Sequence, residues 1–161
     1  LWFKIFRKRE PFWKHADTIA YSLPFGWFFG RLGCFSAHDH VGTRSDFFLA
    51  VDFPADIYGG YYGGPRHDLG LYEALWVFIL AIVHFSLRHK KLPHSSFAMI
   101  FCFAYAPIRF GLDFLRNTDL QGADVRFMGL TPAQYGSLLF LLCGIVLFAR
   151  RHKEGRYFVE N

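Results

Sequence analysis

Four long apolar segments constrain the fold of this chain more than any other feature. They run near residues 16–35, 69–87, 95–115 and 134–149. A helix that crosses a bilayer needs about 20 apolar residues, which the first three segments supply and the last nearly supplies. An amphipathic soluble helix would place a polar residue at every third or fourth position, and these segments do not. The sequence therefore predicts an all-α membrane protein with four transmembrane helices.

The charged residues predict how these helices are oriented. Positive charge is retained on the cytoplasmic side of a membrane. Acidic residues are concentrated instead in segments 36–68 and 116–133. We therefore expect both termini in the cytoplasm and a periplasmic loop region over residues 36–68. The same distribution argues against a nucleic-acid partner, because twelve of the 18 basic residues lie in three short segments next to the apolar ones: Lys4, Arg7, Lys8, Arg9, Lys14, then Arg88, Lys90, Lys91, then Arg150, Arg151, Lys153, Arg156.

Nothing in the sequence divides the chain into smaller units. There is no internal repeat and no low-complexity linker, so residues 1–161 are expected to form a single membrane domain whose surroundings are the lipid bilayer. The three cysteines form no CxxC pair, and Cys102 and Cys143 are best explained as small buried apolar side chains. No cofactor is expected.

An arginine ends the first apolar segment. Residues 30–42 read GRLGCFSAHDHVG, which places Arg31 at the outer edge of the first helix. A guanidinium at that depth is costly, so it indicates a site for an anionic group. His38, Asp39 and His40 follow closely. Two histidines flanking an aspartate could hold zinc together with His67, but this is a weak signal without further ligands at fixed spacing.

The third apolar segment carries a second cluster of charge. Tyr105, Arg109, Asp113 and Arg116 are spaced four, four and three residues apart, so they are predicted to share one helix face. One interpretation is a self-neutralising Arg109–Asp113 ion pair. The other is an anion site, since Asp113 alone cannot neutralise both arginines and arginine donates two parallel hydrogen bonds to phosphate.

The start of the second apolar segment adds further ionisable groups. In PRHDLGLYEAL (65–75), Tyr72 and Glu73 lie one turn into the predicted helix. A carboxylate at that depth should pair with a cation, and Arg31 or Arg109 are the available partners. His67 is either a general base or a hydrogen-bonded histidine at a helix start.

These segments resemble the prolipoprotein diacylglyceryl transferase family. GRLGCFSAHDHVG is similar to the family's Gly-Arg-x-Gly-Asn/Cys-Phe signature, and PRHDLGLYEAL to its Pro-Arg-His-Pro-x-Gln-Leu-Tyr-Glu stretch. IRFGLDFLR and GLTPAQYGSLL resemble its next two motifs, in the same order. The resemblance implies the last four helices of a seven-helix fold in the bacterial cytoplasmic membrane, with the active site toward the periplasm.

The resemblance also implies an activity. The family transfers a diacylglyceryl group from phosphatidylglycerol to the lipobox cysteine of a prolipoprotein, so the implied partners are phosphatidylglycerol and prolipoprotein signal peptides. It implies catalytic roles for Arg109 and Asp39, and the chemistry of the residues themselves adds His40 and His67 as candidate catalytic residues. Phosphatidylglycerol would be contacted by Arg31, Cys34, Gly42, Tyr72, Glu73, Asp113 and Arg116.

Five positions depart from the family pattern and keep other functions open. Cys34 stands where Asn is frequent, Asp39 and Asp113 stand where Glu is usual, and histidines flank Asp39. Either His38 or His40 supplies the base, or the chain is a fragment without activity of its own. The alternatives are a non-catalytic lipid-binding membrane protein and a metal-dependent intramembrane hydrolase that uses His38, His40 and His67.

Overall fold

The computed structural model describes residues 12–53, 64–120 and 123–159, with side chains described between residues 15 and 152 of those ranges. The chain is mostly helical. Four α-helices and three short strands follow one another in the order α1 (Phe12–Ala37), β1 (Val41–Arg44), β2 (Val51–Asp52), β3 (Pro65–Asp68), α2 (Leu69–Leu87), α3 (Ser96–Leu112) and α4 (Pro132–Val159). A 3-10 turn, Asp113–Leu115, extends α3.

Three of the helices are long and apolar enough to cross a membrane. They span Leu69–Leu87, Ser96–Leu115 and Pro132–His152. Each agrees with a predicted apolar segment to within a few residues. The α1 helix has 26 residues but is less apolar, because Asp17, Tyr21 and Arg31 interrupt its hydrophobic residues. The chain is thus a membrane protein with three clear candidate spans among the described residues.

The prediction of an all-α fold was incomplete, because a small sheet forms between α1 and α2. Its three strands lie in the order β1-β3-β2 and are antiparallel. Val41 and Phe53 form a small apolar cluster beneath the sheet, with Val51 and Leu120 packed against it. The stretch FFLAVDFP (47–54) predicts one short strand, where β2 lies, but gives no sign of the pairing with β3. We call this side of the bundle the sheet end.

Both α2 and α4 begin after a capping residue, and from the sequence Thr131 before Pro132 predicts the cap of α4. Asp68 precedes α2, and its carboxylate accepts a hydrogen bond from the backbone N–H of Leu71 at 2.9 Å. At α4, Thr131 and Gln134 form a reciprocal cap: Thr131 N–H donates to the Gln134 side chain, and Gln134 N–H donates to Thr131 Oγ1. These caps satisfy backbone donors that a helix start leaves without intrahelical partners.

Two contacts hold the bundle together. The central apolar cluster consists of Val77, Leu80, Phe101 and Tyr105, with Trp27 and Phe140 packed against it. At the other end, the Asp17 carboxylate of α1 accepts a hydrogen bond from Ala98 N–H in the first turn of α3. The first contact fixes α1, α2, α3 and α4 around one core, and the second aligns α1 with α3. Together they determine how the ionisable side chains of three helices meet.

Candidate functional site

Arg31, near the end of α1, is the first centre of the candidate site. Its Nε lies 2.5 Å from Glu73 Oε2 of α2. Its Nη1 lies 3.1 Å from His40 Nε2, and its Nη2 donates to the Tyr105 hydroxyl at 3.5 Å. The guanidinium also lies over the Trp27 ring. One arginine therefore joins α1, α2, α3 and the turn that follows α1.

That turn brings two predicted site residues back toward Arg31. His38 has a φ of 52°, a left-handed conformation that ends α1. The chain then reverses so that the Asp39 carboxylate contacts His40 Nδ1 in a short hydrogen bond. Because the carboxylate can only accept, Nδ1 carries the proton, and His40 Nε2 accepts from Arg31. Asp39, His40 and Arg31 thus form one chain of hydrogen bonds.

Glu73 is the second centre, one turn into α2. Its Oε1 lies 2.8 Å from Arg109 Nε and accepts from the Tyr105 hydroxyl at 3.1 Å. Its Oε2 faces Arg31. The sequence predicted a partnership with Arg31 or Arg109, and Glu73 contacts both. The two guanidiniums, 78 residues apart in the chain, therefore converge on one buried carboxylate.

The stripe on α3 supplies the rest of the network. Arg109 Nη1 donates to Asp113 Oδ1 at 2.8 Å, so the simpler interpretation of this pair is also present. Asp113 is fully buried, and its other oxygen accepts a short hydrogen bond from the Thr131 hydroxyl at the start of α4. Thr131 was noted in the sequence only as a helix cap. Asp113 is therefore held by both α3 and α4.

The charges of this network nearly balance, which differs from the expected positive stripe. Arg31 and Arg109 face Glu73 and Asp113, and Asp39 adds a partly exposed carboxylate. Nonetheless, the contacts of Arg109 with Glu73 and Asp113 are made by its Nε and Nη1 atoms, and the side chain of Arg109 is 9% exposed. Each guanidinium carries five N–H donors, so donors remain for an additional anion.

His67 and Tyr72 form a separate pair rather than part of this network. The His67 Nδ1 and the Tyr72 hydroxyl lie 2.8 Å apart, and Phe47 packs against both rings. Burial lowers the pKa of His67 below its ordinary value of 6.5, so the imidazole is neutral at pH 7. The structure thus gives His67 a local partner at the helix start, as one of the two sequence interpretations proposed.

Gly42 packs closely against its neighbours in the fold. A Cβ at this position would lie 2.7 Å from His67 Cβ and 2.8 Å from the backbone oxygen of Leu115. The backbone of Gly42 pairs with Arg116, and its carbonyl accepts from Arg66 Nη1 at 3.0 Å. Only glycine fits here, because β1, β3 and the end of α3 meet at this point.

Arg116 does not share the helix face that its spacing predicted. The 3-10 turn ends at Leu115, and Arg116 has an extended backbone with φ −65° and ψ 143°. Its Nε lies 2.5 Å from the Asp124 carboxylate. Because the helical conformation ends one residue before Arg116, this side chain does not share the helix face of Tyr105, Arg109 and Asp113. It lies at the sheet end instead.

The proposed histidine set for zinc is not brought together. His38 Nδ1 lies 3.7 Å from Asp68, His67 pairs with Tyr72, and His40 faces Arg31. A different group has closely spaced ligand atoms: those of Cys34, Asp39 and His40 lie within 4.8 Å of one another. However, the Arg31 guanidinium contacts both Cys34 and His40. A permanent positive charge at this position opposes a divalent cation.

Sequence reasoning overlooked two contributors to the site. Tyr105 was recognised in the stripe but not assigned to the site, although its hydroxyl bridges Arg31 and Glu73. Thr131 binds Asp113. In both cases the signal was in the sequence: a tyrosine four residues before Arg109, and a hydroxyl at a helix start.

The segments that supply the two arginines and the buried glutamate all lie within a match to a known protein family. The family described as prolipoprotein diacylglyceryl transferase matches residues 1–150. This chain belongs to that family. Among its relatives, a phosphatidylglycerol–prolipoprotein diacylglyceryl transferase of Solidesulfovibrio magneticus is 34% identical over 155 residues, which cover 94% of this chain and 56% of the relative.

Two further relatives carry the same name. The protein of Campylobacter hominis is 29% identical over 152 residues, covering 93% of this chain and 51% of the relative. That of Actinobacillus pleuropneumoniae is 34% identical over 146 residues, covering 88% and 52%. The chain thus spans about half the length of the relatives it matches.

Proposed function

We propose that this protein takes part in transfer of a diacylglyceryl group from phosphatidylglycerol to the cysteine thiol of a prolipoprotein. The single observation that carries the proposal is the convergence of Arg31 and Arg109 on Glu73. Family membership supplies the reaction, and the network supplies side chains suited to a lipid phosphate.

In this reaction the thiol loses its proton and the thiolate attacks the glycerol carbon that carries the phosphate. A C–S bond forms, the C–O bond to phosphate breaks, and glycerol phosphate leaves with both electrons of that bond. The leaving group therefore develops negative charge. Arg31 and Arg109 are proposed to hold that charge, because fixed donors in a dry site stabilise it better than water does.

Glu73 is proposed to hold the two guanidiniums in position before the lipid arrives. A carboxylate between two arginines fixes their orientation and offsets their charge in the apolar surroundings. The phosphate would then bind the remaining donors, including Arg109 Nη2. Tyr105 and Asp113 are proposed to keep Glu73 and Arg109 oriented through their hydrogen bonds.

The thiol proton is proposed to go to His40. Asp39 holds the proton on Nδ1, so Nε2 is the basic atom. In the structure Arg31 donates to Nε2, and a phosphate that takes over Arg31 would release it. The base would become available when the lipid is bound.

The proposed setting is the bacterial cytoplasmic membrane, with four membrane-spanning helices that include α1. Both termini would face the cytoplasm, and the sheet end with the arginine network would face the periplasm. The alternation of basic and acidic segments supports this orientation. The whole of residues 1–161 would form one membrane domain. Cys34, Gly42, Tyr72 and Arg116 remain candidate contacts for phosphatidylglycerol.

The proposal is tested with membranes that contain the chain. They are incubated with phosphatidylglycerol and a lipobox peptide, and the mass gain of the peptide is measured. Arg31→Lys should lower the rate about 10- to 100-fold, because a point charge cannot replace the forked guanidinium contacts. Arg126→Lys is the matched control, since Arg126 is exposed and outside the network.

Either of two results would contradict the proposal. Wild-type chain that is inserted in the membrane but never modifies the peptide would make it a lipid-binding family member without the activity. A normal transfer rate for Arg31→Lys would show that the forked contacts of Arg31 are not needed for the reaction.

A further inference from the structure

A groove lies between α3 and α4 at the opposite end from the sheet. It has a volume of about 550 Å³ and is lined mainly by Met99, Ile100, Phe103 and Phe148. Toward the middle of the bundle the two helices pack closely, since a Cβ on Gly144 would lie 3.0 Å from Cys102 Cβ. The groove therefore opens toward the start of α3 and residues 148–151 of α4.

One arginine at the rim of this groove faces no carboxylate in the part of the chain that the structure describes. Arg151 is half-buried, and its Nη1 donates to Ser96 Oγ at 3.2 Å. Arg31 and Arg109, by contrast, are matched by carboxylates. A half-buried cation that lacks a counter-charge beside apolar side chains favours an anionic ligand.

The position of Arg151 fits the headgroup level of a membrane. The apolar span of α4 runs over Pro132–His152, so Arg151 lies at its very end. Ser96 is the first residue of α3, whose helix dipole also favours negative charge at that point. A cationic rim followed directly by an apolar groove matches an amphipathic anion rather than a soluble one.

We propose that this groove binds an anionic phospholipid, whose phosphate contacts Arg151 and whose acyl chain lies along Ile100, Phe103 and Phe148. Ser96 would hold the guanidinium toward the phosphate. Exposed Lys90 and Lys91 at the same end would raise the local concentration of anionic lipid. The site lies at the other end of α3 from Arg109, so it is distinct from the proposed catalytic network.

The test uses the full chain in lipid nanodiscs of phosphatidylcholine containing a minor fraction of phosphatidic acid with the same acyl chains. Phosphatidic acid is chosen because phosphatidylglycerol is the proposed substrate at the other end. The lipids that stay bound to the protein are counted by native mass spectrometry over a range of phosphatidic acid contents.

Arg151→Gln should bind phosphatidic acid about tenfold more weakly at one site, because it loses a charge-assisted hydrogen bond. Arg88→Gln is the matched control: it removes the same charge from an exposed residue whose guanidinium bonds to the Phe85 carbonyl. Wild type and both variants retain the arginine network, so any binding there cancels in the comparison.

A second variant tests the groove without altering charge. Ile100→Trp fills the groove and should also lose the bound phosphatidic acid, and it decides the matter alone if Arg151→Gln does not fold. Equal retention by Arg151→Gln, Arg88→Gln and wild type would overturn the proposal. So would preferential retention of phosphatidylcholine, or a dimer whose second copy covers the groove.

Discussion

The Glu73 carboxylate contacts two arginines inside the helical bundle, whereas the Asp119 carboxylate contacts one arginine beside the sheet. At Asp119 the geometry is closed: Arg66 Nη1 and Nη2 donate to its two oxygens at 3.0 and 2.6 Å. Arg66 is fully buried, and its Nη1 also donates to the Gly42 carbonyl. At Glu73 the arginines keep donors that no described residue uses.

This difference distinguishes a candidate ligand-binding site, at Glu73, from a structural ion pair, at Asp119. The Arg66–Asp119 pair ties β3 to the segment after α3 and leaves no room for a ligand at its forked face. In the Glu73 network, two guanidiniums share one carboxylate, so neither guanidinium uses all of its N–H donors on Glu73. Arginine–carboxylate contacts thus stabilise the sheet end at Arg66 and Asp119, and around Glu73 they are proposed to bind a phosphate.

Replacing Glu73 should have the largest effect on this comparison. Glu73→Gln keeps the size of the side chain but leaves the buried Arg109 and the half-buried Arg31 with only Asp113 as a close counter-charge. This should cost about 3–5 kcal/mol of unfolding free energy. Transfer activity should fall as well. Denaturant unfolding in detergent measures the first effect and peptide mass gain the second.

The control for that variant is Asp46→Asn, which removes an exposed carboxylate from the outer segment. It should leave stability unchanged. A Glu73→Gln protein as stable as Asp46→Asn would mean that the carboxylate does not hold the arginines.

Replacing His40 should affect the transfer rate without affecting the stability of the fold. His40→Gln should lower transfer by about 100-fold or more, in the range for loss of a general base, with little change in stability. His67→Gln is the matched control, because His67 pairs with Tyr72 outside the network. If His67→Gln lowers the rate more than His40→Gln does, His67 is the base and the proposed role of Asp39 fails.

The local parts of this arrangement could be predicted from the sequence, and the long-range parts only in outline. Helix starts at Leu69 and Pro132 follow from their capping residues, and the need for a cation near Glu73 follows from its depth. That Glu73 binds both arginines depends on how three helices pack, which periodicity does not encode. Family resemblance pointed to the segments correctly because each motif lies on an element that reaches the network.

The errors have physical causes as well. Arg116 was placed on the α3 face because a spacing of three suits a helix, but the helix had already ended. The close contact of Gly42 with His67 and Leu115 was not predicted, because a signature motif does not show which neighbours a missing side chain accommodates. Strand pairing between β1 and β3 joins segments more than 20 residues apart and leaves little local signal.

Breaking the Asp119 pair should have a smaller effect than breaking the Glu73 network. Asp119→Asn removes the charged acceptor of two hydrogen bonds from the buried Arg66, which should cost about 2 kcal/mol. The matched control is Asp124→Asn, whose partner Arg116 is 18% exposed and can be hydrated. Equal losses in the two variants, measured by denaturant unfolding, would show that burial of Arg66 does not matter.

The smallest effect expected is a dependence of stability on acid pH. The hydrogen bonds from Arg66 lower the pKa of Asp119 below its ordinary value of 3.8. A carboxyl whose pKa is lower in the folded state stabilises the fold above its unfolded pKa, and loses that contribution as the pH falls through the folded pKa. Burial raises the pKa of Asp68, so protonation of Asp68 acts in the opposite direction.

Unfolding free energy measured from about pH 6 to about pH 3 should therefore fall less steeply, or rise, in Asp119→Asn than in wild type. Parallel curves would show that the Arg66 contact does not depend on the charge of Asp119, and that the closed pair is held by packing instead.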